Sequence, residues 1–250
     1  MIGISQLAFT ESSDLVEFCD KYQPDYIEVV PSRLEQIDPR SIGVNKFNRI
    51  PKLRSAQSLL FGVEENIFSE RREADAVIAK ISSVFDLLIP LGVEKYIFGS
   101  PKNRFLTIST WAERAEDYFF CSINEVCGAK GIKFCIEHVP KSYGSNYLTT
   151  VSEVVNILER NNWENIYLNL DLGNFIEEGG GVKEIADALN YVGHVQLSSF
   201  GLGAIRENRL HYEIAQLIQG RGFDVTLELL NCDLQTISRS WDYLRETFNL

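Results

Sequence analysis

The stretch FCIEHVP, Phe134 to Pro140, runs apolar and then closes on a glutamate, a histidine and a proline. An ionised carboxylate ending a hydrophobic run is costly unless it is solvated, paired or holding a metal. The same ending recurs downstream, in YLNLD at Asp171 and VTLE at Glu228, while HVQL carries Gln196. Four apolar runs that end in oxygen donors read as neighbouring strands delivering those donors to one end of a sheet.

Outward from this stretch, short β-type runs alternate with helical patterns along the whole chain. The strand candidates are Ile2–Ala8, Tyr26–Val30, Leu53–Leu60 and Lys95–Gly99, then Lys133–Glu137, Ile166–Asp171, Val192–Ser198 and Asp224–Leu229. Between them, apolar residues recur at helical spacing, as in Leu15, Val16, Cys19 and Tyr22, or Val151, Val154, Val155 and Leu158. Thr150 and Glu153 stand at capping-box spacing before the second of these. Gly220 and Gly222 close a helix carrying Leu210, Ile214, Leu217 and Ile218.

Strand–helix alternation implies a parallel sheet covered by helices. Eight units in 250 residues match an α/β fold of the (β/α)8 barrel type, read as one domain over 1–250 with no linker or composition break. A doubly wound open sheet is the competing topology. It usually carries GxGxxG after a strand, and the Gly179-Gly180-Gly181 run lacks that spacing. The triplet reads as a turn before a helix starting near Val182.

In such barrels the chemistry sits at the C-terminal mouth. Glu137, Asp171, Gln196 and Glu228 would converge there, and like charges that close call for a cation between them. All four offer oxygen, which favours a hard divalent ion, Mg²⁺ or Mn²⁺, over zinc. The bland alternative is an acidic pocket satisfied by water and side-chain hydrogen bonds.

Composition narrows the partners. Hydrophobic residues at 45% and charged residues at 24% describe a soluble globular protein. No apolar run approaches the roughly 18 residues of a membrane span, and the N-terminal stretch carries no basic leader, so the expectation is a cytoplasmic protein without a membrane partner. A net charge of -11 without a basic stripe argues against nucleic acid. The five cysteines have no CxxC spacing and read as reduced, mostly buried thiols.

At AQSLLFG, FGSPKNR, IEHVPKSYG, LDLGNF, GHVQLSS and TLELL, in this order at successive strands, the chain resembles the xylose isomerase-like barrel superfamily. Within it, the chain is most similar to the sugar phosphate isomerase/epimerase-like branch. The resemblance covers nearly the whole sequence. It implies metal binding by Glu137, Asp171 and Glu228, with the two glutamates acting as the acid–base pair on opposite faces of a sugar carbon. The fourth family ligand is usually the second histidine of HxH, and here HVQ puts Gln196 at that place. Asn174 stands where many relatives carry a substrate-binding histidine. Three histidines are too few for the tri-zinc endonuclease relatives.

The resemblance therefore implies a divalent-metal-dependent isomerase or epimerase acting on a sugar or sugar phosphate through an enediolate. A non-catalytic sugar-binding barrel and a metal-dependent hydrolase or lyase stand as alternatives. Relatives are often dimers or tetramers, so a homo-oligomer is an expectation too. For substrate contacts the candidates are Glu28, Gln57, Lys102, Asn174, Tyr143 and His211, with Asn146 and Tyr147 in the same loop as Tyr143. Arg104 is expected to pin structure as an internal counter-charge. Gly201, Gly203 and Arg206 mark a weaker phosphate candidate, and His138 replaces a proline usual in the family.

Overall fold

The computed structural model describes residues 1–37 and 51–249. Eight parallel strands close into a barrel: β1 (Ile2–Ser5), β2 (Tyr26–Val29), β3 (Lys52–Ala56), β4 (Lys95–Phe98), β5 (Lys133–Glu137), β6 (Ile166–Asp171), β7 (Val192–Leu197) and β8 (Val225–Leu227). Each strand pairs with its sequence neighbours, and β8 returns to β1 through Ile2 opposite Val225 and Ile4 opposite Leu227. This closure leaves no open sheet edge.

Eight α-helices lie among the described residues. They are α1 (Ser12–Tyr22), α2 (Arg71–Leu88), α3 (Ala112–Lys130), α4 (Val151–Asn161), α5 (Leu172–Glu177), α6 (Val182–Ala188), α7 (Arg209–Ile218) and α8 (Leu234–Phe248). No helix among these residues is long and apolar enough to cross a membrane.

The helices form where the apolar spacing foretells them. In α4, Val151, Val154, Ile157 and Leu158 face the core, and the Thr150 hydroxyl accepts from Glu153 N. The reciprocal half of the capping box goes one residue further back, with Glu153 Oε2 accepting from Thr149 N at 2.6 Å. Gly179 takes φ +78 and turns the chain between α5 and α6. Aromatic packing seals the wall behind β4 and β5, where Phe98 stacks against Phe134 at 5.3 Å and Phe119 at 5.5 Å.

Expected strand positions hold, but their ends differ. β1 stops at Ser5 instead of Ala8, and β3 stops at Ala56 instead of Leu60. The surplus apolar residues, such as Leu59 and Leu60, are buried in the turns above the barrel. Hydrophobicity reports burial, and here burial continues past the last ladder hydrogen bond.

The two ends of the barrel differ in kind. At the N-terminal end, Asp224 accepts from Lys95 Nζ at 2.7 Å and Arg54 Nε at 2.8 Å. Burial would raise that carboxyl, and these two cations hold it below its ordinary range. Fixed, compensated charge of this sort staples strands together. The C-terminal end gathers three carboxyls around a cavity with less compensation.

Candidate active site

A cavity of about 430 Å³ opens at the C-terminal ends of the strands. Its floor includes Gln57, Glu137, Asp171, Asn174 and Glu228, and its upper wall includes Phe61, Lys102, Tyr143 and Leu202. Glu137 ends β5 and Asp171 ends β6. Glu228 directly follows β8, so period-two alternation turns it inward along with Thr226.

Asp171 is also the N-cap of α5. Its Oδ1 accepts from Asn174 N at 2.6 Å and from the Ser198 hydroxyl at 2.8 Å, while Oδ2 is buried with no hydrogen-bond partner. Asn174, one turn into α5, donates through Nδ2 to Glu137 Oε1 at 2.9 Å and to the His138 carbonyl at 3.1 Å. This leaves Glu137 Oε2 unclaimed by Asn174. Gly99, just past β4, is what makes room for it, since a Cβ there would lie 2.7 Å from Oε2.

The three carboxyls bind protons unusually well. Burial, reinforced by the Asp171 charge and opposed by Arg104, pushes Glu137 up to about 8. Burial and the charges of Asp171 and Glu137 raise Glu228 well above its ordinary range. Burial also raises Asp171, against the hydrogen bonds from Asn174 and Ser198. Groups this strongly linked titrate as a unit. The nearest compensation is Arg104, fully buried, whose Nη2 donates to the Glu137 carbonyl at 2.5 Å. Burial lowers the guanidinium itself to about 10.

Behind the cavity floor lies a second polar layer centred on Glu28, which is wholly buried. Its carboxylate accepts from Ser55 Oγ at 2.7 Å, Gln57 Nε2 at 3.1 Å, Gln196 Nε2 at 2.8 Å and His194 Nε2 at 2.9 Å. Burial works to raise Glu28, but the hydrogen bond and charge of His194, with Ser55 and Gln196, bring it below its ordinary value. An ionised carboxylate accepts only, so every neighbour must present a donor. The Gln196 amide is thereby fixed: its NH₂ faces Glu28, and its oxygen accepts from Asn169 Nδ2 at 2.5 Å. Reversing it would set two acceptors against each other.

The expected donors thus separate into two groups. Glu137, Asp171 and Glu228 face the cavity, while Gln196 is drawn into the wall and lines no part of it. Among the described residues, no three His, Cys, Asp or Glu side chains form a ready metal-ligand cluster. Three carboxylates with raised proton affinity and an orphaned Asp171 oxygen nonetheless suit a hard cation in charge and donor type. The amide of Gln196 does not fit, because both of its ends are engaged.

Other expected contacts divide in the same way. Gln57, Asn174, Tyr143 and Lys102 line the cavity, with the Lys102 ammonium paired to Glu64. Glu28 acts from behind them. His211 lies on α7 away from the cavity, with Nδ1 at 3.1 Å from the Tyr243 hydroxyl, and burial lowers its imidazole to about 4. Asn146 is tied to Leu106, and the Tyr147 hydroxyl donates to Glu116, so neither reaches the cavity. Arg206 is exposed and also lies outside the lining. His138 is buried with Nε2 at 3.0 Å from Glu178 Oε1.

Sequence reasoning missed Ser198, the partner of Asp171, although it stands two residues beyond Gln196 in the same inward parity. It also missed Ser55, Asn169 and Thr226. Each is an inward polar residue in a strand read only for its apolar content.

No protein-family model matches the chain, and no curated protein matches it. Solved structures do match in shape. A D-psicose 3-epimerase from Clostridium cellulolyticum H10, solved with D-tagatose, superposes with TM-score 0.73 at 20% identity, covering 99% of each chain. A 3-keto-D-glucoside 4-epimerase from E. coli gives 0.74 at 13%, covering 98% of each. The IolI protein with a bound zinc atom gives 0.71 at 16%, covering 100% of this chain and 99% of that one. The chain therefore shares its closed eight-stranded (β/α)8 barrel fold with these solved proteins.

Proposed function

We propose that this barrel is an isomerase or epimerase that moves a proton at a carbon next to the carbonyl of a small carbohydrate. The observation that carries the reading is the set of three buried carboxyls, Glu137, Asp171 and Glu228, with raised proton affinity in one cavity at the strand ends. A buried carboxyl raised to about 8, as Glu137 is, can hold and release a proton near neutral pH, as general acid–base catalysis requires. The shared architecture with solved sugar epimerases supports the same class.

Glu137 and Glu228 are the acid–base pair. Asn174 holds Glu137 by Oε1, which leaves Oε2 as the oxygen that takes or returns the proton. Asp171, steadied by Ser198 and Asn174 N, lines the cavity beside the pair and adds its negative charge to both glutamates. Gln57, its NH₂ held by Glu28 and Ser5, presents its amide oxygen to substrate hydroxyls. Tyr143, pinned by the bond its hydroxyl accepts from Gly201 N at 2.8 Å, limits water at the mouth.

Glu137, Asp171 and Glu228 would hold a divalent ion. Bound there, it would supply charge neutralisation and stabilise negative charge on a carbonyl oxygen. Lys102 is the one cation lining the cavity among the described residues, and Glu64 already pairs it. An uncharged sugar therefore fits better than a sugar phosphate.

The test is a panel of unphosphorylated ketoses in D₂O with Mn²⁺, read by NMR. Deuterium should enter at the carbon beside the carbonyl, and Glu137→Gln or Glu228→Gln should slow entry by about 10²–10⁴-fold. The withdrawal of Gln196 favours a second reading, sugar binding without turnover. Saturable binding of a panel member with no exchange would select it.

A further inference from the structure

The cavity lining is mixed. Besides the carboxyls and the Lys102–Glu64 pair, Leu7, Leu60, Phe61, Val63 and Leu202 line it. The apolar surface continues outward: Phe61 is 76% exposed, and the Tyr143 ring meets Phe200, itself 44% exposed, at 4.9 Å. Leu202 O accepts from Leu230 N at 2.8 Å, which sets the 43% exposed Leu230 beside the same rim. Exposed apolar side chains scattered singly need no explanation, but several gathered at the mouth of one cavity do.

The backbone shows the same bias. Ser58 and Leu202 both line the cavity and both hold left-handed backbone at φ 55. That conformation is an outlier for leucine, and such strain collects at ligand sites. Space points the same way. About 430 Å³ equals roughly fourteen waters at about 30 Å³ each, and a twelve-heavy-atom hexose fills roughly half of it.

From this we infer that the substrate is a sugar bearing an apolar substituent, aryl or alkyl, at the end away from the reacting carbon. The sugar would lie on the carboxyl floor, and the substituent would lie between Phe61 and the Tyr143–Phe200 pair. The inference rests on the carbohydrate reading above and adds the substituent to it. Apolar walls with few oriented polar groups are the usual composition of small-molecule sites. A free monosaccharide would leave the rim facing water and gain nothing from it.

A matched pair of probes tests this by calorimetry: D-fructose and 6-O-phenyl-D-fructose, whose substituent sits at the end away from the carbonyl, with the full-length protein and Mn²⁺. 6-O-phenyl-D-fructose should bind at least tenfold more tightly, a difference of about 1.4 kcal/mol. Phe61→Ser and Phe200→Ser change exposed residues outside the acid–base machinery, so the fold should persist. They should shrink the difference several-fold, with the loss falling mainly on 6-O-phenyl-D-fructose.

Equal affinities for the two probes would overturn the inference and leave the carbohydrate reading standing. Binding of neither would overturn both. If sedimentation instead shows self-association that Phe61→Ser abolishes, and the phenyl group adds no affinity, the rim is an interface between copies and the inference falls.

Discussion

Glu28 accepts four hydrogen bonds at a wholly buried position, and no residue better shows what the sequence hides. Read from YIEVV, it is one carboxylate ending a strand, with a rim role or a substrate role equally available. In the fold it orients two amides, Gln57 toward the cavity and Gln196 away from it. That difference depends on which donors surround one carboxylate, a long-range fact that no local spacing records. Glu137 and Asp171 were legible as cavity residues because their placement follows from position alone: each ends an apolar strand. His211 misled for the converse reason, since a histidine at a helix start looks the same whether it faces a mouth or Tyr243.

Two outcomes follow at this scale. Glu28→Ala should leave His194 and two amides without their acceptor and cost about 3–5 kcal/mol in chemical denaturation. Glu28→Gln should cost less, because one carbonyl oxygen still accepts. Even so, it should weaken sugar binding, because the Gln57 and Gln196 donors lose their common anchor.

Among the elements, the strands were readable and their ends were not. β5 and β6 match their expected spans, and both end on a carboxylate that stops the apolar run. β3 was overextended because SLL, Ser58 to Leu60, buries its leucines in a turn. The apolar rim was unreadable for the same reason: Phe61 and Leu202 sit in loops with no periodicity. α5 shows how tightly an element can be placed. A Cβ on Gly173 would come 2.3 Å from Ser198 Oγ and 2.9 Å from the Ser198 carbonyl carbon.

Gly173→Ala should therefore push α5 off β7 and carry Asn174 away from Glu137. A destabilisation of about 1–3 kcal/mol is expected, on the scale of core overpacking. Activity should fall by more than that loss of folded protein explains. Gly181→Ala, where nothing lies within 4 Å and the backbone is extended, is the control and should be near neutral for activity. Thermal melts alongside turnover would separate the two variants.

For the molecule as a whole, strand–helix alternation carried the fold and the strand-end carboxylates carried the site's location. What composition could not show is how charge divides between the two ends. At the N-terminal end Asp224 is compensated by Lys95 and Arg54; at the mouth, three carboxyls share little more than Arg104. Stability should depend on pH accordingly. Glu137 has a folded proton affinity raised from 4.5 to about 8. Its stabilising contribution is complete below about 4.5 and is lost as pH rises through about 8.

Melting profiles of the cation-free protein and of Glu137→Gln should therefore run closest at low pH and separate as pH rises. The wild type should lose stability relative to the variant as pH climbs across that window. Mn²⁺ should restore the wild type at the upper end and do less for the variant. A wild-type protein that gains on the variant with rising pH would show Glu137 paired rather than crowded.

The claim on which the rest depends is that Glu137 and Glu228 exchange a proton with a carbon beside a carbonyl. Deuterium incorporation from D₂O into an unphosphorylated ketose measures this directly. The account predicts incorporation by the wild type at that carbon and its near-complete loss in both Glu137→Gln and Glu228→Gln, with sugar binding retained. Incorporation at the wild-type rate in either variant would contradict it.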